Sequence, residues 1–331
     1  MVSTDDVELA RQSAAAFKET FIKIRAEVGR MIVGQADVVD GVLTALMAGG
    51  HVLLEGVPGL GKTMLVSSIS RAIQFTPDMM PADIVGTTVL TEAEGGGHEL
   101  TFQQGPIVSN LVLADEINRA TPKTQSALLE VMQERQVTVG RRTIKMPEPF
   151  CVMATQNPVD QEGTYPLPEA QLDRFLFKLV VGYPSEADYH AIIDRTTSGH
   201  DVVLNAVTNA ETLQHMRAVV RQVPVTEAAK AYAIRLVMGT QPGSDYAPDS
   251  INRSVALGAS PRGVQSLMLA AKVQALLDDR FAVSTNDVAA VVMPVLRHRL
   301  VLNYHAQANA LSADDLLGDV LAQVKRPYAT D

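Results

Sequence analysis

The chain has 331 residues, 47% of them hydrophobic and 20% charged, which allows two domains with sizeable cores and excludes large-scale disorder. Its formal charge of −9 argues against a broad nucleic-acid-binding face and leaves only a local basic patch open. One cysteine, Cys151, excludes an intrachain disulfide, and the seven histidines show no HxxxH or Cys/His ligand spacing, so no zinc site is assigned.

Phe17, Phe21, Ile24 and Val28 recur at steps of four, three and four, which predicts an amphipathic helix docking on the body. A second helix, about Asp37 to Met47, runs into Gly49-Gly50, a common helix stop, and Val52-Leu53-Leu54 then reads as a short buried strand. Directly after it, Gly56-Val57-Pro58-Gly59-Leu60-Gly61-Lys62-Thr63 fits the pattern GxxxxGK[ST], and Met64 to Ile73, free of Gly and Pro, reads as a helix. In this order the glycines let successive backbone N–H groups turn toward a polyphosphate, and the helix start adds its positive dipole end. Lys62 then reaches the outer phosphates and the Thr63 hydroxyl binds Mg²⁺. A plain glycine turn needs neither the lysine nor the hydroxyl, so a nucleoside triphosphate site is expected.

Short apolar segments follow at Leu111 to Ala114, Phe150 to Ala154 and Phe177 to Val181, separated by helical stretches, the pattern of a parallel α/β sheet. Cys151 falls in one of them and is expected to be a buried strand residue. Two hairpins break the alternation. Thr87 to Thr91 and Glu99 to Gln103 flank Gly95-Gly96-Gly97, and Val137 to Val139 and Arg142 to Lys145 flank Gly140-Arg141. Such hairpins either contact partners or merely decorate the surface, and sequence leaves both open.

Leu111 to Ala114 ends in Asp115-Glu116. Alone this pair could be a solvated turn; downstream of a phosphate loop, Asp115 reads as holding Mg²⁺ through water and Glu116 as polarising the attacking water. Phe150 to Ala154 leads into Thr155-Gln156-Asn157-Pro158, which puts Asn157 at the carboxyl end of the sheet, suited to sense a γ-phosphate, although Asn before Pro is also a turn former.

Beyond Tyr183-Pro184-Ser185 helical patterns dominate, punctuated by Pro224, Pro242-Gly243, Pro261, Ser284 and Pro294. A boundary is therefore expected near residues 184 to 198, dividing an α/β core of residues 1–190 from a helical domain of residues 191–331. Arg262 follows Pro261 at a helix start, where a cation opposes the helix dipole unless an anion lies nearby, and this favours a phosphate contact. Arg297-His298-Arg299 reads as a solvated basic face. The longest apolar run, near Phe175 to Val181, contains Lys178 and falls far short of the roughly 20 residues of a membrane span. With Asp5, Asp6 and Glu8 near the start, no signal peptide is read, and cytoplasmic residence is the expectation.

The order GxxxxGKT, LADE, ATQNP and LDRF resembles the AAA+ ATPases and, within them, the MoxR family. The carrying strings are Leu53–Thr63, Ala114–Gln125, Ala154–Pro158, Glu169–Phe175 and Ala259–Gly263, with no departure at a motif position. The resemblance implies an α/β P-loop NTPase core with a parallel sheet, two hairpin insertions and a C-terminal all-α lid, usually a hexameric ring with ATP and Mg²⁺ at subunit interfaces. It makes Gly56, Pro58, Gly59, Gly61, Lys62 and Thr63 the phosphate loop, with Thr63 and Asp115 at the metal. Gly34 and Gln35 match the turn that passes the adenine, Asn157 the sensor asparagine, Arg174 the arginine finger offered to a neighbour, and Arg262 the lid arginine, acting on its own nucleotide or a neighbour's. By its residues alone Arg174 could instead cap its helix or pair with Asp173 or Glu169.

MoxR-like proteins typically act as chaperones maturing a client protein complex, often with a partner carrying a von Willebrand factor A domain. Nothing in this sequence names the client. Rival readings are a nucleic-acid-acting motor of the same branch, to which Arg141, Arg142 and Lys145 lend slight support, a small-molecule phosphotransferase, and a nucleotide-dependent scaffold.

Overall fold

A computed structural model describes residues 4–56, 71–92, 98–140, 142–158, 163–197 and 203–324. In chain order its strands are β1 (Val52–Glu55), β2 (Arg71–Gln74), β3 (Gly86–Glu92), β4 (His98–Gln104), β5 (Leu111–Asp115), β6 (Gln136–Val139), β7 (Arg142–Lys145), β8 (Cys151–Gln156), β9 (Phe177–Val180), β10 (Val255–Leu257) and β11 (Val301–Leu302). Five of them form one parallel sheet in the order β2-β5-β8-β1-β9.

Alternate side chains of the central strands enter opposite cores, as a sheet covered on both faces requires. Val52, Leu54, Leu111, Leu113 and Met153 pack on one face with α1 (Thr4–Gly29), α2 (Ala36–Ala48) and the C-terminal helices. Leu53, Val112, Ala114, Val152 and Ala154 pack on the other with α3 (Pro122–Glu134). Phe17, Phe21, Ile24 and Val28 of α1 are all buried, as their spacing predicts. The predicted stop of α2 is also present: Gly49 adopts φ 77, and its N–H reaches the carbonyls of Ala45 and Leu46. Cys151 is buried on β8, and burial pushes its thiol up to about 12.

Both predicted hairpins form, β3 with β4 and β6 with β7, while the turn residues 93–97 and Arg141 lie outside the described residues. Leu90 and Leu100 face each other across the first hairpin and are both exposed. Among the described residues, no helix is long and apolar enough to cross a membrane.

Three sequence expectations need correction. The helix read over Met64 to Ile73 cannot extend through its end, because residues 71–74 form edge strand β2, paired with β5 from Arg71 opposite Val112 to Gln74 opposite Asp115. Pairing with a neighbouring strand and burial of Ile73 override the local helix pattern there; residues 64–70 lie outside the described set. The helical C-terminal part also carries a short antiparallel ribbon, β10 with β11. Arg297-His298-Arg299 is no solvated face, since His298 and Arg299 are buried: His298 Nε2 lies 3.1 Å from the Phe175 carbonyl and Arg299 pairs with Asp173.

A second buried histidine, His51, just before β1, ties the start of that strand to β8 and to α3. Its Nδ1 accepts the Val152 N–H at 2.9 Å, and Nε2 donates to the Met132 carbonyl at 3.1 Å. Burial draws His51 down from 6.5 to about 4 and holds His298 well below its ordinary value. Both are neutral in the folded protein at neutral pH, so the stability they carry is complete above pH 6.5 and lost as pH falls toward 4. At pH 5 the loss from His51 alone is about 2 kcal/mol. Urea unfolding at pH 7.5 and pH 5 should show this fall, and His51→Gln should flatten it; an unchanged slope in the variant would remove His51 as a source.

Candidate nucleotide-hydrolysis site

Because β5, β8 and β1 are parallel neighbours, their carboxyl ends bring Asp115-Glu116, Gln156-Asn157 and Gly56 to one edge of the sheet. Adjacent strands lie about 4.8 Å apart, so the acidic pair stands roughly 10 Å across the sheet from the start of the phosphate loop. Glu55 ends β1 held by Gln156 of β8 and by Lys178 of β9, whose Nζ lies at 2.8 Å. Next to it, Gly56 passes so close to the chain after β9 that a Cβ would come within 2.7 Å of the Val181 carbonyl oxygen. Only glycine lets the loop begin there. Pro58, Gly59, Gly61, Lys62 and Thr63 lie outside the described residues.

Thr155 organises the acidic pair. Almost fully buried at 1% exposure, its Oγ1 donates to Asp115 Oδ1 at 2.5 Å and accepts the Glu116 N–H at 2.9 Å. Glu116 itself has φ 55 and ψ 48, a left-handed conformation that costs a non-glycine residue about 1 kcal/mol and that clusters at functional sites. Its carboxylate meets Arg119 Nη1 at 2.8 Å and Gln74 Nε2, at the end of β2, at 3.4 Å. Asn157 continues β8, and its carbonyl accepts from Asn118 Nδ2 at 3.3 Å, tying that strand end to the turn after the acidic pair.

Gly34 and Gln35 reach the same edge by a different route. Gly34, at φ 71, lies so close to the Asp188 carboxyl that no Cβ fits; that carboxyl is itself fixed by the Ser185 N–H at 2.9 Å. Gln35 Nε2 donates to the Gly182 carbonyl at 3.0 Å. The turn is thus stapled to the segment that leaves the carboxyl end of β9.

Arg174 and Arg262 are elsewhere. Arg174 lies just before β9, where the Leu176 N–H bonds to the His51 carbonyl at 2.8 Å, so it sits at the amino edge of the sheet. The four residues of β1 separate the two edges by about 13 Å. Arg174 Nη1 donates to the Leu129 carbonyl of α3 at 2.7 Å, and among the described residues it forms an ion pair with neither Asp173 nor Glu169. Arg262, on the helix Pro261–Leu277, approaches Asp173 Oδ2 at 3.5 Å, which is the anion its place at a helix start asks for. Both arginines line one cavity of about 280 Å³ together with Gly49, Gly50 and His51. The fold therefore gathers Gly34, Gln35, Gly56, Asp115, Glu116 and Asn157 on one edge, and Arg174 with Arg262 on the other.

A family model described as "ATPase family associated with various cellular activities (AAA)" matches residues 51–177, and one described as "AAA lid domain" matches residues 249–320. The chaperone MoxR1 of Mycobacterium tuberculosis is 44% identical over 323 residues, 96% of this chain and 85% of that protein. This chain belongs to the MoxR family of AAA+ ATPases. The MoxR protein of Methylorubrum extorquens is 30% identical, covering 94% of this chain and 96% of its own. A crystal structure of a protein assigned as an ATPase from Cytophaga hutchinsonii has a TM-score of 0.89 and 35% identity, with 97% of this chain and 99% of that one covered.

As a member of the family, the chain binds and hydrolyses ATP. The described half of the site suits that substrate: a glycine-only exit from β1, a fixed aspartate, and a second carboxylate raised beside it on a strained turn. Thr155 is the residue that sequence reasoning missed in this MoxR-family site. Its place in Ala154-Thr155-Gln156-Asn157 draws attention to the asparagine, and only the register of β8 against β5 reveals the hydroxyl between Asp115 and Glu116. Thr155→Val keeps the shape and removes both hydrogen bonds. By analogy with residues that orient metal ligands, turnover should fall about 10- to 100-fold, with Thr155→Ser recovering most of it. Equal rates for the Val and Ser variants would deny the hydroxyl this role.

Proposed function

We propose that this MoxR-family ATPase works as a ring, hexameric as is usual for AAA+ proteins, in which Arg174 and Arg262 of each subunit complete the nucleotide site of a neighbour. ATP hydrolysis then remodels or activates a client protein complex. Residues 1–190 act as the nucleotide-binding core and residues 191–331 as the lid. Lys62 holds the outer phosphates, Thr63 and Asp115 hold Mg²⁺, and Gly34 and Gln35 pass the adenine. Glu116 polarises the attacking water and Asn157 senses the γ-phosphate.

The observation that carries the ring reading is the separation of edges: Arg174 and Arg262 share a cavity at the amino edge, remote from the acidic pair of their own chain. An arginine serving phosphate chemistry from there serves it most directly in an adjacent subunit. The chaperone role follows the name of MoxR1. A partner with a von Willebrand factor A domain and cytoplasmic residence belong to the same proposal. The test is ATP turnover per subunit across a wide range of protein concentration. A specific rate that climbs and then plateaus is expected, because the site is shared. A flat rate from protein that sizing shows to be monomeric would reject the ring.

A further inference from the structure

Asp173, in the amino-edge cavity, stands between Arg299 and Arg262 and divides its carboxylate unequally. Oδ1 accepts from Arg299 Nε at 2.9 Å; Arg299 is 7% exposed and also bonds to the Phe175 carbonyl at 2.8 Å and Ser266 Oγ at 3.1 Å. Burial draws Arg299 down to about 10, which still leaves it protonated at neutral pH. Such a buried cation holds its carboxylate firmly, because separating them would leave a buried charge unpaired. Oδ2 faces the other way. Ser260 Oγ donates to it at 3.1 Å and Arg262 Nη1 lies at 3.5 Å. The Arg262 side chain is 51% exposed, so solvent weakens this second pair. Ser260 also caps the helix by accepting the Arg262 N–H at 3.2 Å, so Oδ2, the cap and Arg262 form one chain of contacts.

We propose that Asp173 is a positioning residue that holds Arg262 beside Arg174 and acts as a stand-in anion, keeping the Arg262 guanidinium until a nucleotide phosphate takes it over. This rests on the reading that Arg262 meets a neighbour's nucleotide. A cation at a helix start is unfavourable without a counter-charge, and Asp173 supplies one. When a phosphate takes over, the helix Pro261–Leu277 gives up its looser tie to the loop carrying Arg174, while Arg299 keeps the firm one. The lid registers occupancy and the finger loop stays in place.

The test is the dissociation constant of Mg-ATP for full-length protein carrying Glu116→Gln, at concentrations on the plateau of specific activity. Arg262→Ala should weaken binding; if it does not, the reading of Arg262 fails and the stand-in role with it. Asp173→Asn removes the competing charge and should tighten binding about two- to fivefold, the range of an exposed ion pair. In the Arg262→Ala background that effect should vanish. Ser260→Ala preserves the Asp173–Arg299 pair but leaves Oδ2 wholly to Arg262, so it should weaken binding about twofold, again only when Arg262 is present. A purely structural Asp173 would move both variants the same way, with or without Arg262. Unchanged or weaker binding in Asp173→Asn, or the same change without Arg262, overturns the proposal while leaving the Arg262 reading intact. Should Asp173→Asn not fold, Ser260→Ala decides: no weakening, or weakening independent of Arg262, sinks the idea.

Discussion

Glu116→Gln is expected to leave ATP bound and to lower turnover about 10²- to 10⁴-fold, the usual contribution of a positioned general base. The substitution is well isolated by the structure. Glutamine has the size of glutamate, so the left-handed backbone at φ 55 keeps the same strain. The Glu116 N–H still donates to Thr155, and the amide oxygen can still accept from Arg119 and Gln74. What disappears is the capacity to take a proton from water. A mere fold defect would reduce ATP affinity and thermal stability together with turnover. Equilibrium binding measured alongside single-turnover hydrolysis separates the two, and near-normal hydrolysis with normal binding would remove Glu116 from its assigned role.

The legible features of the sequence were those carried by local pattern. Leu111–Ala114 and Phe150–Ala154 announce buried strands because parallel strands covered on both faces are apolar throughout, and both hairpins announce themselves by glycine turns between β-prone runs. The acidic pair was legible because a strand end and two carboxylates fall in one string. β2 was not: Arg71-Ala72-Ile73-Gln74 follows a helical pattern without a break, and its strand character comes from pairing with β5, some forty residues on. The basic cluster at Arg297-His298-Arg299 misled for a similar reason. The counter-charge of Arg299, Asp173, is 126 residues away in sequence, and a run of cations looks solvated until a distant carboxylate is brought to it. Thr155 belongs to this class too, since its role depends on register between strands rather than on any neighbour in the chain.

Arg174→Ala is expected to lower turnover about 10³- to 10⁵-fold, as loss of an arginine finger does, while ATP affinity changes little. Stability should move far less. The side chain gives up one hydrogen bond, from Nη1 to the Leu129 carbonyl, and its Nε is buried without a hydrogen-bond partner among the described residues, so truncation also relieves an unsatisfied donor. A loss of rate with an unshifted melting temperature therefore points to chemistry. Whether that chemistry belongs to the same subunit is decided by mixing. Arg174→Ala protein retains Glu116, and Glu116→Gln protein retains Arg174; each alone has only defective sites. In a ring of both, wherever the first subunit receives the arginine of the second, a complete site forms, at about a quarter of interfaces for random equal mixing in a cyclic assembly. Turnover should then rise well above that of either variant after subunit exchange. If the finger acted within its own chain, no mixture could restore it. The sheet separates Arg174 from Glu116 of the same chain by its full depth, and recovery on mixing is the result that depth predicts.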